Sequence, residues 1–285
     1  NNTANANLNL PLGELQMLNV EELQILKRLL SKHRAAGQGS PEVSISEGRS
    51  KSSGINFQSV VKQGIDIKDH NETIKNYIKI QETFNKKNSV QFLKTHSYLF
   101  NFNKKFPFTN LNNSLGVIYI VRDPRNVVNS FSKFKNTTID KTADFMINSS
   151  GDGLTWTNTW SNNFQSWKLF KEYGRYMLIK YEDLINDREL IFLNLLKFIH
   201  KLNNSKFTLD KDKFDNVIKT TSFDNMQKLE KETGFGEGTI NEKTGEKIPF
   251  FNLGPKNDWK KLLDQKIRFK IEKAFKKEME ELGYL

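Results

Sequence analysis

Two short segments carry side chains suited to work on an anion. In FLKTHSY (92–98), Lys94 and His96 lie two positions apart, so in an extended chain both project to one side. An imidazole near its ordinary pKa can take a proton from a hydroxyl, and an ammonium can hold the negative charge that develops. In VRDPRNVVNSF (121–131), Asp123 suits a helix N-cap and Pro124 the first helical turn, where its missing N–H costs nothing. That start puts Arg122 at the end of the preceding strand. Ser130 follows eight residues on, about two helical turns, facing back toward the strand end. A guanidinium offers a planar fork to a phosphate, and a hydroxyl adds a further donor. Plainer roles stay open: a structural His96, and an Arg122–Asp123 surface pair beside an ordinary helix start.

Two further segments are less specific. Thr221, Ser222 and Phe223 follow one helical stretch and precede another at 224–230, where hydroxyls ordinarily serve as N-caps. FFNLGPKNDWKKLL (250–263) is a Gly-Pro loop ending at Asp258, which reads as the cap of the last helix, with Trp259 as a core anchor. Glu272, Lys273, Lys276, Lys277, Glu278 and Glu281 read as a solvated helix face with i,i+4 pairs.

These segments need a frame, and the apolar pattern supplies one. SVQFLK (89–94), GVIYIV (116–121) and RYMLIKY (175–181) are short runs rich in β-branched and aromatic residues, as expected of strands buried on both faces. Helical periodicity occupies 74–85, 124–134, 161–173, 187–202, 211–220 and 262–282. Alternating strands and helices imply an α/β fold with a largely parallel sheet, whose ligand site lies beyond the carboxyl ends of the strands. Residues 136–158, with Phe145, Met146 and Trp156, read as a loop over that ligand site. Residues 1–55 differ in texture: a leucine-rich amphipathic helix at 12–34, then a Gly/Ser-rich linker at 35–54 with a strand candidate at 43–46. The domain expectation is therefore an atypical N-terminal segment over 1–55 and a main domain over 56–285.

Composition narrows the partners. The 285 residues include no Cys and only four scattered His, which removes thiolate chemistry and Cys-ligated zinc and leaves no zinc-binding motif. No run of about 18 apolar residues occurs and the first residues lack the basic and apolar regions of a leader, so a soluble, cytoplasmic protein without a membrane span is expected. A net charge of +11 favours anionic partners. A basic nucleic-acid-binding protein is the rival on charge alone, but no RGG, zinc or RNP motif supports it, so no specific nucleic acid is expected.

In order, FLKTH, VIYIVRDPRNVVNSF, TWSNNFQSW, LIKYEDL, TSFDNMQKLE, GPKNDWKKLL and the ending ELGYL resemble the sulfotransferases that use 3′-phosphoadenosine 5′-phosphosulfate (PAPS), over about two thirds of the chain. The resemblance implies a three-layer αβα sandwich around a largely parallel sheet, related to the P-loop nucleotide kinases. It also implies sulfuryl transfer from PAPS, without a metal, to a hydroxyl or amine of a small-molecule or carbohydrate acceptor. His96 falls on the family's catalytic base and Lys94 on a residue that steadies the transferring sulfonate. Arg122 and Ser130 fall on the pair that grips the 3′-phosphate, Tyr181 near the adenine, and Thr221, Ser222 and Phe223 on a segment touching the nucleotide. Gly254 falls on the glycine of the loop that also serves the 3′-phosphate.

Two departures accompany this. The family's phosphosulfate loop, of the form YPKSGTTW, has no counterpart; the nearest string is GRSKSSGINF (48–57). Either 43–46 fills the place of the missing strand or residues 1–55 replace an ancestral N-terminus. Where the family usually has Arg-Lys-Gly, this chain has Asn252, Leu253 and Gly254, with Lys256 or Lys260 as replacements for the lost charge. A descendant that binds nucleotide or a partner without transfer is the alternative.

Overall fold

The computed structural model describes residues 70–85, 92–149, 157–235, 239–241 and 244–285. The expected helix at 12–34, the linker, the strand candidate at 43–46, the string at 48–57, residues 89–91 and Trp156 lie outside the described residues, as does the expected boundary at 55/56.

The centre is a parallel pair, β3 (Val117–Val121) and β4 (Tyr176–Lys180), preceded by a short hairpin of β1 (Asn101–Phe102) and β2 (Phe106–Pro107). Strand periodicity divides the core. Val117, Tyr119 and Val121 point into one apolar cluster, Ile118 and Ile120 into the other. Around the first cluster pack α1 (His70–Lys75), α2 (Tyr77–Asn85), α3 (Pro124–Phe134), α4 (Ile139–Asn148) and α5 (Trp160–Trp167). Around the second pack α6 (Tyr181–Asn186), α7 (Arg188–Leu202), α8 (Lys211–Thr220) and α9 (Phe223–Thr233). A short antiparallel pair follows, β5 (Thr239–Ile240) and β6 (Lys247–Ile248). After α10 (Trp259–Leu262), α11 (Gln265–Ala274) and α12 (Lys276–Leu282) return to the first cluster. Helix, sheet and helix are the three expected layers. Each fully buried large side chain contributes about 1.5–3 kcal/mol, so segregating the two faces of one strand outweighs local propensity.

Several expectations need correcting. Of the run at 89–94, residues 92–94 carry no strand; nearby, at 96–99, backbone groups bond to α5 side chains. β4 is not buried on both faces, since Leu178 is 38% exposed where no described element covers it. Residues 136–158 are not a simple loop: Thr138 caps α4, Met146 is fully buried, and Phe145 packs on Phe131. Asp258 caps only the four-residue α10, because Asp264 accepts from the Ile267 amide and starts a new helix. Trp259 is not a core residue but a half-buried platform for Arg125, 3.9 Å from its ring centroid. Glu278 is not solvated: it is buried and accepts from Ser161 and Gln165 at 2.9 and 3.0 Å. Glu272 pairs with buried Arg125 at 2.6 Å.

Candidate active site

The start of α3 follows local rules. Asp123 accepts from the Arg125 amide at 2.9 Å and Pro124 takes the first turn, which leaves Arg122 just beyond β3. Register does the rest. Val121 lies opposite Lys180 as the last strand pair, so Arg122 and Tyr181 leave the two strand ends side by side, Tyr181 as the first residue of α6, and the guanidinium carbon stands 4.1 Å from the Tyr181 ring centroid. Arg122 donates to the Gly254 carbonyl at 2.9 Å. The expected alternative, an Arg122–Asp123 pair, does not form. Asp123 is taken by Arg125 at 2.6 Å, and Arg122 is 3% exposed with no carboxylate in ion-pair range among the described residues. Its Nε is buried without a hydrogen-bond partner. A buried cation in that condition is costly until an anion compensates it.

The loop carrying Gly254 is clamped from two sides. Glu230 of α9 accepts from the amides of Phe250 and Phe251 at 2.7 and 2.8 Å, while Gln227 donates to the Phe251 carbonyl at 2.8 Å. From α3, Asn129 donates to Asn257 at 2.7 Å, Asn257 donates to the Asn126 carbonyl at 2.8 Å, and Asn126 accepts from the Trp259 amide at 2.8 Å. Gly254 has φ of 48°, and a Cβ there would collide with the Phe223 ring. Arg122, Tyr181, Phe223 and Gly254 thus form one cluster of a cation, two aromatic rings and a close backbone. Its chemistry fits an anionic aromatic ligand such as a nucleotide.

The remaining nucleotide candidates use their hydroxyls locally. Ser130 is half-buried and donates back to Val127 and Asn126 carbonyls at 3.1 and 3.3 Å. Thr221 donates to the Val217 carbonyl at 2.7 Å, and Ser222 is the N-cap of α9, accepting from the Asn225 amide at 3.4 Å.

His96 is held by α5. Asn163 donates to the His96 carbonyl at 3.0 Å and the Thr157 carbonyl at 2.8 Å, and accepts from the Tyr119 hydroxyl at 2.9 Å. Trp167 donates to the Ser97 carbonyl at 3.0 Å. The ring is 2% exposed, and neither nitrogen has a hydrogen-bond partner. Burial first, and the charge of Lys94 second, hold its pKa well below the usual histidine value, so the ring is neutral near pH 7. The Thr157 hydroxyl is also buried without a hydrogen-bond partner. Asn163 and Thr157 were not predicted. The available signal was an Asn among Trp160, Phe164 and Trp167, the positions that form the buried face of α5. Among the described residues no group of three His, Cys, Asp or Glu gathers as for a metal, and no helix is long and apolar enough to cross a membrane.

A family model described as "Sulfotransferase domain" matches residues 23–283. The chain belongs to the sulfotransferase family. Among its relatives, the amine sulfotransferase of Oryctolagus cuniculus is 23% identical over 176 residues, 60% of this chain and 56% of that protein. The 3-beta-hydroxysteroid sulfotransferase of Cavia porcellus is 27% identical over 161 residues, 54% and 53% of the two chains. This sulfotransferase-family chain spans just over half the length of these curated relatives. The crystal structure of mouse sulfotransferase SULT7A1 complexed with PAP matches at a TM-score of 0.56 and 13% identity, covering 92% of this chain and 80% of that one. That likeness is one of fold, and it agrees with the α/β layers described above.

Proposed function

We propose that this protein transfers a sulfuryl group from PAPS to a hydroxyl or amine of a small-molecule or carbohydrate acceptor. The observation carrying this reading is the buried Arg122 cation, stacked on Tyr181 and without a carboxylate among the described residues, beyond the carboxyl end of a parallel strand. Family membership and a fold shared with a protein solved with PAP, the desulfated product, support it.

PAPS supplies an activated sulfuryl group. On the protein side, Arg122 compensates phosphate charge with the Gly254 loop beside it, and Ser130 becomes the second 3′-phosphate donor once its hydroxyl turns from the Val127 and Asn126 carbonyls. Tyr181 and Phe223 offer ring faces to the adenine, with Thr221 and Ser222 fixing that segment. His96, neutral and with neither buried nitrogen hydrogen-bonded, takes the acceptor's proton on its unprotonated nitrogen, and Lys94 opposes the negative charge that grows on the transferring group.

The test has two stages. PAP should raise the melting temperature, because a ligand that binds only the folded state stabilises it by mass action. Radiolabelled PAPS with mixed acceptors should then give product, and His96→Ala should lower the rate about 10²–10⁴-fold. Turnover unchanged in His96→Ala overturns the mechanism. The lack of a YPKSGTTW-like loop in the sequence favours a second reading, nucleotide binding without transfer, which a PAP shift without product would select.

A further inference from the structure

Beyond the strand ends, a single carboxylate ties the two strands together. Asp123 follows Arg122 and caps α3, Glu182 follows Tyr181 in the first turn of α6, and the Asp123 amide donates to Glu182 Oε1 at 3.2 Å. The other oxygen, Oε2, accepts from the Tyr284 hydroxyl at 2.9 Å, a contact spanning 102 positions of sequence. Tyr284 is itself pinned: its carbonyl accepts from Arg125 at 2.8 Å, its amide donates to the Met279 carbonyl at 2.8 Å, and Lys180 Nζ lies 4.9 Å from its ring centroid. Lys180 also donates to the Leu282 carbonyl at 3.0 Å. Residues 282–284 therefore close over the last residue of β4 and the first residues beyond both strands.

We propose that Tyr284 is a positioning residue for the nucleotide cluster: by fixing the Glu182 carboxylate as a bridge to Asp123, it holds Arg122 and Tyr181 in stacking register. The inference rests on the nucleotide-binding reading above. The Arg122–Tyr181 stack forms after the last ladder pair, where no strand hydrogen bonds hold the two chains at their spacing. The Glu182 bridge replaces the missing ladder rung, and it is stiff only while both carboxylate oxygens are engaged. A hydrogen bond to a charged acceptor is among the stronger neutral-donor contacts a tyrosine can make. Tyr284→Phe removes that one bond and leaves the ring, its packing and its backbone contacts in place.

Titration calorimetry with PAP, at a temperature well below unfolding, tests this on the whole chain. The expected result is PAP affinity about tenfold weaker in Tyr284→Phe, the scale of one lost charge-assisted hydrogen bond. Glu182→Gln should weaken binding similarly, and the double variant should be no weaker than the worse single one, since both break one bridge. Glu281→Gln is the control: it loosens the same segment by taking the charge out of the Lys168 contact at 2.6 Å without touching Glu182, and should leave PAP affinity unchanged. If the wild type binds PAP and Tyr284→Phe binds equally well, the positioning role is overturned and the nucleotide reading stands. Equal weakening by Glu281→Gln overturns it too, by making the effect general loosening. A wild type that does not bind PAP removes the nucleotide reading itself, and this role with it.

Discussion

Asn163 Nδ2 lies 3.0 Å from the carbonyl oxygen of His96, and the same nitrogen is 2.8 Å from the carbonyl of Thr157. One buried amide therefore holds the backbone of the candidate base from inside α5. Asn163→Ala leaves two buried carbonyls and the Tyr119 hydroxyl without this partner. The expected loss is on the order of 3 kcal/mol in urea unfolding, the scale of a few stranded polar groups. Sulfuryl transfer should fall more than PAP affinity, because the change acts on His96 and not on the Arg122 cluster. Equal losses in turnover and PAP affinity would mean that Asn163 supports the whole domain and not the base.

The low His96 pKa gives two pH signatures. With the neutral ring as the proposed base, initial rates should hold steady as pH falls to about 6.5, the ordinary histidine value, and decline only below it. Stability moves the other way from a salt-bridged histidine. Below about pH 6.5 the unfolded chain takes up a proton that the buried ring refuses until its lower pKa is reached. This group therefore lowers stability with falling pH by up to about 1.4 kcal/mol per unit. Urea midpoints between about pH 5 and 7 should show a slope that His96→Gln reduces; an identical slope in the variant would contradict the assignment.

Gly254→Ala should be costly twice. The backbone at φ of 48° disfavours a Cβ by about 1–2 kcal/mol, and that Cβ must displace the Phe223 ring. Calorimetry should show weaker PAP binding together with a lower melting temperature. Unchanged affinity would separate this loop from the nucleotide.

Two neighbouring arginines should behave oppositely. Arg125 bonds Asp123 and Glu272 at 2.6 Å each, and removing it leaves both carboxylates without that cation. Arg125→Met should cost about 3–5 kcal/mol of stability. Arg122 has no such partner, so Arg122→Met should change apo stability by only about 1 kcal/mol while weakening PAP about 10- to 100-fold. Thermal melts with and without PAP measure both quantities. A large stability loss in apo Arg122→Met would mean the guanidinium is structural.

Much of the frame was legible where the determining interactions are local. The Asp123 cap and Pro124 start predicted α3 over 124–134, and the periodicity at 211–220 predicted α8. Ser222 was readable as a cap because capping joins residues three apart. The exposed-looking charges of 272–281 misled for the opposite reason. An i,i+4 pattern describes one helix, whereas Glu278 is buried by Ser161 and Gln165, more than a hundred positions away.

The sequence by itself determined most helix positions, the alternation of strand and helix, the family motifs and the candidates for holding an anion. All of these depend on side-chain chemistry and on neighbours within a few positions. Only the tertiary structure decided that Asp123 belongs to Arg125 and not Arg122, that Asn163 carries the His96 backbone, and that Tyr284 reaches Glu182. A buried polar group must find a partner wherever the packed elements bring one. Which elements meet is set by burying two faces of one sheet, a condition no local stretch of chain contains.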